Sequence, residues 1–319
     1  MIVVTGSNGF IGSNLIKNLN LLGHTDILAV DDLSNKNNLS NIAEYKIKDL
    51  MGHKDFLVAL KKDKTLNQSI RYIFHQGACS DTTEWDADYL IENNYLYSKN
   101  ILDFCIEESI PLTYASSASV YGNNLEFKEN KLNEKPINLY AYSKYIFDQL
   151  VRSKIHKTTS QVVGLRYFNV YGPKENHKGK MASVALHLHQ ELMTKEEIKL
   201  FGAYNDFAAG EQSRDFIYVD DVVDVNLWFM ENPKVSGIFN VGTGRSQTFN
   251  EVAQAVIEWN KKGKISYIPF PDELKGSYQS YTKADISKLR TAGYTKPFKD
   301  VQTGIKHYLD NYSTWPGNE

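Results

Sequence analysis

Cysteine is nearly absent from this chain of 319 residues: only Cys79 and Cys105 occur, too few for a disulfide framework. A charge bias is also missing. Lys and Arg total 36 against 38 Asp and Glu, a net charge of -2. That balance gives no bulk argument for nucleic acid or an anionic membrane as a partner. No apolar run reaches the roughly 18 residues of a transmembrane helix. The first residues carry neither a basic n-region nor a cleavable apolar stretch. No Pro/Ser/Gly-rich hinge, internal repeat or low-complexity tract appears. The remaining composition, 42% hydrophobic and 23% charged, is that of an ordinary globular protein. These absences predict a soluble cytoplasmic protein of about two domains and leave its function open.

The pattern along the chain says more. Short apolar runs at residues 2–4, 27–30, 72–74, 112–114 and 162–165 predict buried parallel strands. Amphipathic stretches at 11–22, 89–107 and 142–154 predict the helices between them. Such alternation points to a Rossmann-type α/β fold, a doubly wound parallel sheet with ligands beyond the carboxyl ends of its strands. After about residue 168 the rhythm changes to Gly/Asn/Lys-rich loops, with helical stretches at 181–192 and 220–231. We therefore expect a dinucleotide-binding domain over 1–167. A smaller mixed α/β substrate-binding domain is expected mainly over 168–319, with chain crossings back to the first.

Gly6, Gly9 and Gly12 lie three apart, directly after the first strand and before the first helix. A phosphate cradle needs that spacing: backbone freedom, exposed amide N–H groups and the positive end of a helix. The second strand ends at Asp31-Asp32. A carboxylate there favours NAD by hydrogen-bonding the adenosine ribose and repelling a 2′-phosphate. Gln76, Gly77, Ala78, Cys79 and Ser80 follow another strand, and small residues there let backbone approach a cofactor. For Cys79 the preferred reading is a packed small hydrophobe rather than a reactive thiol. Asn93 either holds active-site backbone or is simply solvated. No metal is expected.

Tyr140 and Lys144 stand one helical turn apart, so their side chains share a face. A phenol with a pKa of about 10 is too weak a base at neutral pH. A nearby ammonium, with a cationic nicotinamide ring, stabilises phenolate and should lower that value. A serine hydroxyl would complete the set by bonding the reacting oxygen, and Ser116 and Ser117 compete for the role. Arg214 suits an anionic oxygen, the alternative being an ion pair with Asp215 or Asp220.

Glycine turn, serine segment and Tyr140-Ala-Tyr-Ser-Lys144, in that order, resemble the extended short-chain dehydrogenase/reductase superfamily. The resemblance implies a nicotinamide cofactor and hydride transfer at a carbon bearing a hydroxyl, and its Ser-x-x-x-Tyr-Gly pattern selects Ser117. Dehydratases of that superfamily carry Thr-Asp-Glu-Val-Tyr-Gly where this chain reads Ser117-Ala-Ser119-Val-Tyr-Gly122. The acid pair that drives elimination is missing, which favours oxidation followed by re-reduction.

Longer runs narrow the resemblance. Phe74-His-Gln-Gly-Ala-Cys-Ser-Asp-Thr-Thr-Glu-Trp85, the segment Tyr167 to Gly179 and Ser236-Gly-Ile-Phe-Asn-Val-Gly-Thr-Gly244 are similar to the ADP-L-glycero-D-manno-heptose 6-epimerase family. So is Tyr267-Ile-Pro-Phe-Pro-Asp272, and the similarity runs nearly end to end. It implies an ADP-heptose substrate, tightly held NADP in preference to NAD, oxidation at C-6″ and a homo-oligomer. Tyr140 matches one acid/base residue and Lys178 the other. Matching cofactor contacts are Phe10, Ile11, Asp31, Asp32, Asn38, His53, Gln76 to Ser80, Asn93, Lys144, Val170 and Lys178. Matching substrate contacts are Ser117, Asn169, Lys180, His187, Phe201, Gly202, Ala203, Tyr204, Arg214 and Tyr278. Asn38 and His53 replace cofactor lysines of the family, with Lys36 and Lys54 beside them, and Lys180 replaces a serine. Lys36 or Lys54 is expected to supply the charge for a 2′-phosphate. Neighbouring positive charge in Asn176-His-Lys-Gly-Lys180 is expected to lower the Lys178 pKa. The runner-up reading is an enzyme for another nucleotide sugar, such as a UDP-hexose 4-epimerase. A different class, a non-catalytic dinucleotide-binding scaffold, has no need of Ser117, Tyr140 and Lys144 together.

Overall fold

Strands rich in Val, Ile and Leu, buried on both faces, build the first part of the molecule. The computed structural model describes residues 1–34, 38–275 and 278–312. The strands are β1 (Ile2–Thr5), β2 (Ile27–Asp31), β3 (Asp49–Gly52), β4 (Tyr72–His75), β5 (Leu112–Ser117) and β6 (Val162–Tyr167). With Gly237–Val241 they form a seven-stranded sheet in the order Gly237–Val241, β6, β5, β4, β1, β2, β3. The pairings of β1 with β2 and β4, of β2 with β3 and of β4 with β5 are parallel. Alternation along the strands sorts their side chains into two cores. Val3, Leu28, Val30 and Ile73 join Phe56, Ile101 and Phe147 on one face. Val4, Ile27, Ala29 and Phe74 join Leu15, Ile16, Leu19 and Val223 on the other.

All five runs read as strands lie in this sheet. Two further strands escaped the pattern. β3 is a half-exposed edge that opens on Asp49, so it shows no apolar run. Gly237–Val241 lies far along the chain, beyond the change of rhythm. The helix expected over 89–107 is broken: Ala87–Leu90 and Tyr97–Glu107 flank a π-helical turn, Ile91–Leu96. Among the described residues no helix is long and apolar enough to cross a membrane.

The chain divides into two compact units, 1–120 with 136–166 and 223–239, and 121–135 with 167–222 and 240–319. Residues 121–135 therefore group with the second unit and 223–239 with the first. The second unit has short paired strands: Asn169–Tyr171 with Phe216–Tyr218 and Glu197–Phe201 with Lys264–Ile268 run parallel. Ser213–Arg214 and Gln247–Thr248 run antiparallel. Helices Val184–Thr194, Phe249–Asn260 and Val301–Asp310 accompany them.

One buried ion pair anchors β6 to the helix Leu139–Lys154. The Arg166 guanidinium donates to Asp148 from Nε at 2.9 Å and Nη2 at 2.8 Å, and both side chains are fully buried. Tyr114 Oη and Ser116 Oγ donate to the same carboxylate at 2.8 and 3.0 Å. Removing one partner strands the other charge in the interior. Arg166→Met should lower unfolding free energy by about 3–5 kcal/mol in urea denaturation. Adding Asp148→Leu should recover much of that loss, and a double variant no better than the single would contradict this account.

Candidate active site

The glycine turn is set by backbone packed on backbone. Gly6 has φ +64°, and a Cβ there would stand 2.6 Å from Gly77 Cα. A Cβ on Gly12 would stand 2.0 Å from the Gly6 carbonyl oxygen. The helix Phe10–Leu21 starts at Gly9 with no side-chain cap, which leaves first-turn N–H groups for an anion. Asp31 accepts from Asn8 N at 2.6 Å and from Asp32 N at 2.7 Å, so its carboxylate also holds the turn. Burial raises its pKa, and those two backbone bonds pull it back. Asn41 Nδ2 donates to Asn8 O at 2.8 Å. Asn8 Nδ2 and Asn38 Oδ1 are buried without a hydrogen-bond partner among the described residues. Uncapped amides and orphaned polar atoms at this turn fit a phosphate-bearing dinucleotide. His53 opens the helix His53–Lys62, with the exposed Lys54 next to it. Their charge reaches Asp32, whose pKa is lowered mainly by its bonds to Ser34. Lys36, the other lysine assigned to a 2′-phosphate, lies outside the described residues.

Asn138 caps the helix Leu139–Lys154 by accepting from Ala141 N at 2.7 Å. The helix thus begins before Tyr140, not at 142, and one regular turn carries both Tyr140 and Lys144. Both are buried. Ser119 Oγ donates to Ser117 Oγ at 2.9 Å, and Ser119 N approaches it at 3.2 Å. The Ser117 hydroxyl faces the Tyr140 phenol and opposes the rise in its pKa. Ser116 is committed to Asp148. Geometry therefore separates the two serines: Ser117 faces Tyr140, and Ser116 braces the ion pair. Lys144 Nζ donates to Ala115 O at 3.0 Å. Burial pulls its pKa down to about 8, and the charge of Asp148 pushes the other way. The Lys144 ammonium by itself does not produce the drop expected at Tyr140. Burial raises the phenol above its ordinary value, opposed by the Ser117 bond, and the Lys144 ammonium is turned to the Ala115 carbonyl.

The loop after β4 is clamped by a residue the sequence reading passed over. Asn94 Oδ1 accepts from Cys79 N at 2.8 Å, and Asn94 Nδ2 donates to Cys79 O and Ser143 Oγ, each at 3.0 Å. Asn93 bonds Tyr89 O of its own helix at 2.8 Å. Holding this backbone is the work of Asn94. Its signal was an asparagine doublet inside a helix, where asparagine is a poor former. Gln76 Nε2 donates to Asn226 Oδ1 at 3.1 Å. Burial pushes the Cys79 thiol up, which suits a packed residue and not a reactive thiolate.

In the second unit, Lys178 lies in the 3-10 segment Asn176–Met181, entered through Lys174 at φ +71° and passing Gly179 at φ +51°. Glu175 secures this loop. Its carboxylate accepts from Ser183 N and Oγ at 2.6 Å each, Tyr308 Oη at 2.9 Å and Gly172 N at 3.3 Å. The Lys178 pKa is lowered by burial and pushed back by Glu175. Desolvation, not neighbouring positive charge, is the cause. Arg214 is buried with its guanidinium 4.9 Å over Tyr278 and 5.8 Å over Phe249. It has no carboxylate partner among the described residues, so the ion-pair alternative is not found. Asp215 is occupied elsewhere, accepting from Thr243 N and Oγ1 at 2.6 and 2.8 Å, Gly244 N at 2.9 Å and Ala284 N at 3.0 Å. Tyr204 stacks on Phe270 at 3.9 Å and 10°, and Phe270 also meets Phe201 and Tyr278 at 5.3 and 5.2 Å. Phe270 is a second residue missed. It sits in the quoted Tyr-Ile-Pro-Phe-Pro run. Phe201, Tyr204, Arg214 and Tyr278 thus form one aromatic and cationic patch. Gly202 N bonds Ile268 O at 2.7 Å beside it, and Ala203 is exposed. Asn169 N bonds Asp215 O at 3.0 Å and its Oδ1 accepts from Thr282 Oγ1 at 3.5 Å, and Val170 is half-buried. Lys180 and His187 are exposed.

A family model described as "NAD dependent epimerase/dehydratase family" matches residues 2–242. Among solved structures, an ADP-L-glycero-D-manno-heptose-6-epimerase of Helicobacter pylori is 33% identical. The match covers 98% of this chain and 96% of that one with a TM-score of 0.83. A UDP-glucose 4-epimerase of Thermotoga maritima is 26% identical, with 98% of each chain covered and a TM-score of 0.80. A UDP-glucose 4-epimerase of Thermus thermophilus in complex with NAD is 25% identical over 98% of each chain, with a TM-score of 0.75.

Buried Lys144 makes a testable contribution to stability. Its folded pKa of about 8 lies below the ordinary 10.5, so the unfolded chain binds more protons between these values. Wild-type stability should therefore rise with pH across that window relative to Lys144→Met, which lacks the titrating group. Urea unfolding of both proteins at neutral and at about pH 10 checks the sign, and a pH-independent difference would rule the buried ammonium out.

Proposed function

The chain belongs to the NAD dependent epimerase/dehydratase family, and we propose that it is an ADP-glyceromanno-heptose 6-epimerase. It interconverts ADP-D-glycero-β-D-manno-heptose and its L-glycero epimer, in the cytoplasm, for the heptose of lipopolysaccharide inner core. The observation that carries an epimerase over a dehydratase is the directed bond from Ser119 to Ser117, with Ser117 on Tyr140. Where an eliminating enzyme has a carboxylic acid, this chain has a hydroxyl spent on orienting Ser117. The heptose assignment rests on the sequence runs and on the similarity to the Helicobacter pylori protein.

Bound NADP would supply the hydride acceptor and return the hydride to the opposite face. The glycine turn, Asp31, Asp32, Asn38, His53 and the loop 76–80 would hold it, with Lys144 on the nicotinamide ribose. Tyr140 Oη takes the proton of the C-6″ hydroxyl, and Ser117 Oγ holds the same oxygen. The ketone then turns over before reduction, and its oxygen meets a second proton donor, Lys178. A lysine whose pKa is lowered by burial holds its proton loosely enough to serve. Arg214 takes the diphosphate, since its charge is buried without a carboxylate. The patch of Phe201, Tyr204 and Tyr278 offers flat apolar faces to the remainder of the nucleotide. A homo-oligomer is part of this reading.

The test is incubation with ADP-D-glycero-β-D-manno-heptose and resolution of the product epimers, with UDP-glucose in parallel. Turnover of UDP-glucose alone would support the hexose 4-epimerase reading instead. Tyr140→Phe and Lys178→Met should each slow epimerisation by at least about 100-fold while the fold is kept. A Lys178→Met protein of near wild-type rate would remove the second acid/base from the mechanism.

A further inference from the structure

His75 is the last residue of β4, and its ring has two short bonds. Nδ1 meets Thr5 Oγ1 at 2.6 Å, and Nε2 meets Ser98 Oγ at 2.7 Å. Counting hydrogens fixes their direction. Ser98 Oγ donates its only hydrogen to Asn94 O at 2.7 Å, so it can only accept from His75. His75 therefore carries its hydrogen on Nε2, and bare Nδ1 accepts from Thr5. The Thr5 oxygen is left to accept from Gly77 N, which it does at 3.2 Å. At the far end Asn94 Nδ2 donates to Ser143 Oγ, which donates to Tyr140 O at 2.7 Å. Thr5, His75, Asn94, Ser98 and Ser143 are all buried, and no hydrogen in this chain of bonds is left over.

We infer that His75 is a positioning residue, joining the backbone of the cofactor turn to the backbone of Tyr140 through one directional line of hydrogen bonds. The two ends carry the argument. Thr5 immediately precedes Gly6, and Gly77 is the backbone on which Gly6 packs. The other end is the carbonyl of the phenol-bearing residue. A histidine that merely fills a core needs partners, but not one on β1 and one on the helix Tyr97–Glu107 that is itself bonded on to Asn94 of the π-helical turn. The π-helical turn is explained as well: Asn94 sits in it with its backbone carbonyl taken by Ser98 and its side chain by Cys79 and Ser143. Only the neutral Nε2–H imidazole fits. Burial keeps it so, with a pKa of about 3, and the nearby Lys144 charge acts in the same direction; the Tyr97 ring packs 5.7 Å away. The inference rests on the nicotinamide site of the family and not on the heptose.

The experiment uses His75→Phe, which keeps a ring and loses both bonds, and Ser98→Ala, which cuts the middle link. His75→Gln offers an acceptor and a donor again. Epimerisation kcat and the dissociation constants of NADP and NAD are measured beside thermal unfolding. Each of the first two variants should lower kcat, or weaken cofactor binding, by about 10- to 100-fold, the scale of a small misplacement. The double variant should be no worse than the poorer single, because both cut one line. His75→Gln should recover most of the loss, and KM for the nucleotide sugar should stay within about threefold. Lower melting temperatures with unchanged kcat and cofactor affinity, or fully additive losses, would overturn the inference. If the wild-type protein leaves ADP-heptose unchanged, the heptose assignment fails, and the cofactor constants of the same variants still decide the role of His75.

Discussion

Backbone lies directly on backbone where Gly6 meets Gly77, and the rest of the site is built outward from that contact. β1 sits between β2 and β4, so the order of strands reverses at its carboxyl end. Thr5 stands beside both Val30 and His75 in the parallel register. The segments leaving β1 and β4 then occupy the same narrow space. A methyl group on Gly6 or Gly12 would collide with main-chain atoms, which cannot withdraw as a side-chain tip can. What lines this crevice is therefore backbone, and its amide N–H groups are the donors that a pyrophosphate requires. Asp31 and Asn41 fix the turn from one side, and the Thr5–His75 pair from the other.

Electrostatics in the first unit follow from burial more than from pairing. Lys144 and Tyr140 lie in the same dry region, and desolvation drives both toward their neutral forms. The full charges there, Asp148 and Arg166, cancel each other. A phenol in this setting stays protonated until another cation arrives beside it. In the proposed mechanism an oxidised nicotinamide ring would be such a cation. The sequence pattern pointed to Lys144 and the nicotinamide ring together as the cause of a lowered phenol pKa. Lys144 Nζ is directed at Ala115 O, so the ammonium by itself does not lower it.

The central sheet was legible because both of its faces are covered, and fully buried strands must be continuous apolar runs. β3 was not, since an edge strand with an exposed Asp49 lacks that constraint. Gly237–Val241 was missed for a topological reason. Its residues return to the first unit after a long excursion, and local patterning carries no record of such returns. Tyr140, Lys144 and the glycines were read from spacing together with their order and placement between strand and helix. The choice between Ser116 and Ser117 was not, because neighbouring residues in an extended segment point to opposite sides and spacing does not say which side is the site. The resemblance selected Ser117, and in the structure Ser116 is bonded to Asp148.

Apart from Phe270, the supporting residues share a role. Each is a buried polar group that holds a residue already noticed. Asp148 accepts from Ser116, Tyr114 and Arg166 beneath the Tyr140 helix. Glu175 ties down the loop of Lys178 with four donors. Asp215, whose pKa burial raises to about 6, gathers two loops through Thr243, Gly244 and Ala284, next in sequence to Arg214. Asn94 does the same for Cys79. A buried carboxylate or amide surrounded by fixed donors is costly to rearrange, because each donor it releases becomes an unsatisfied group in the interior. That cost is what makes a loop behave as a rigid support. Residues that reach toward a ligand announce themselves by chemistry and spacing. Residues that stiffen the support are read from sequence only once their donors, scattered over distant segments, are known.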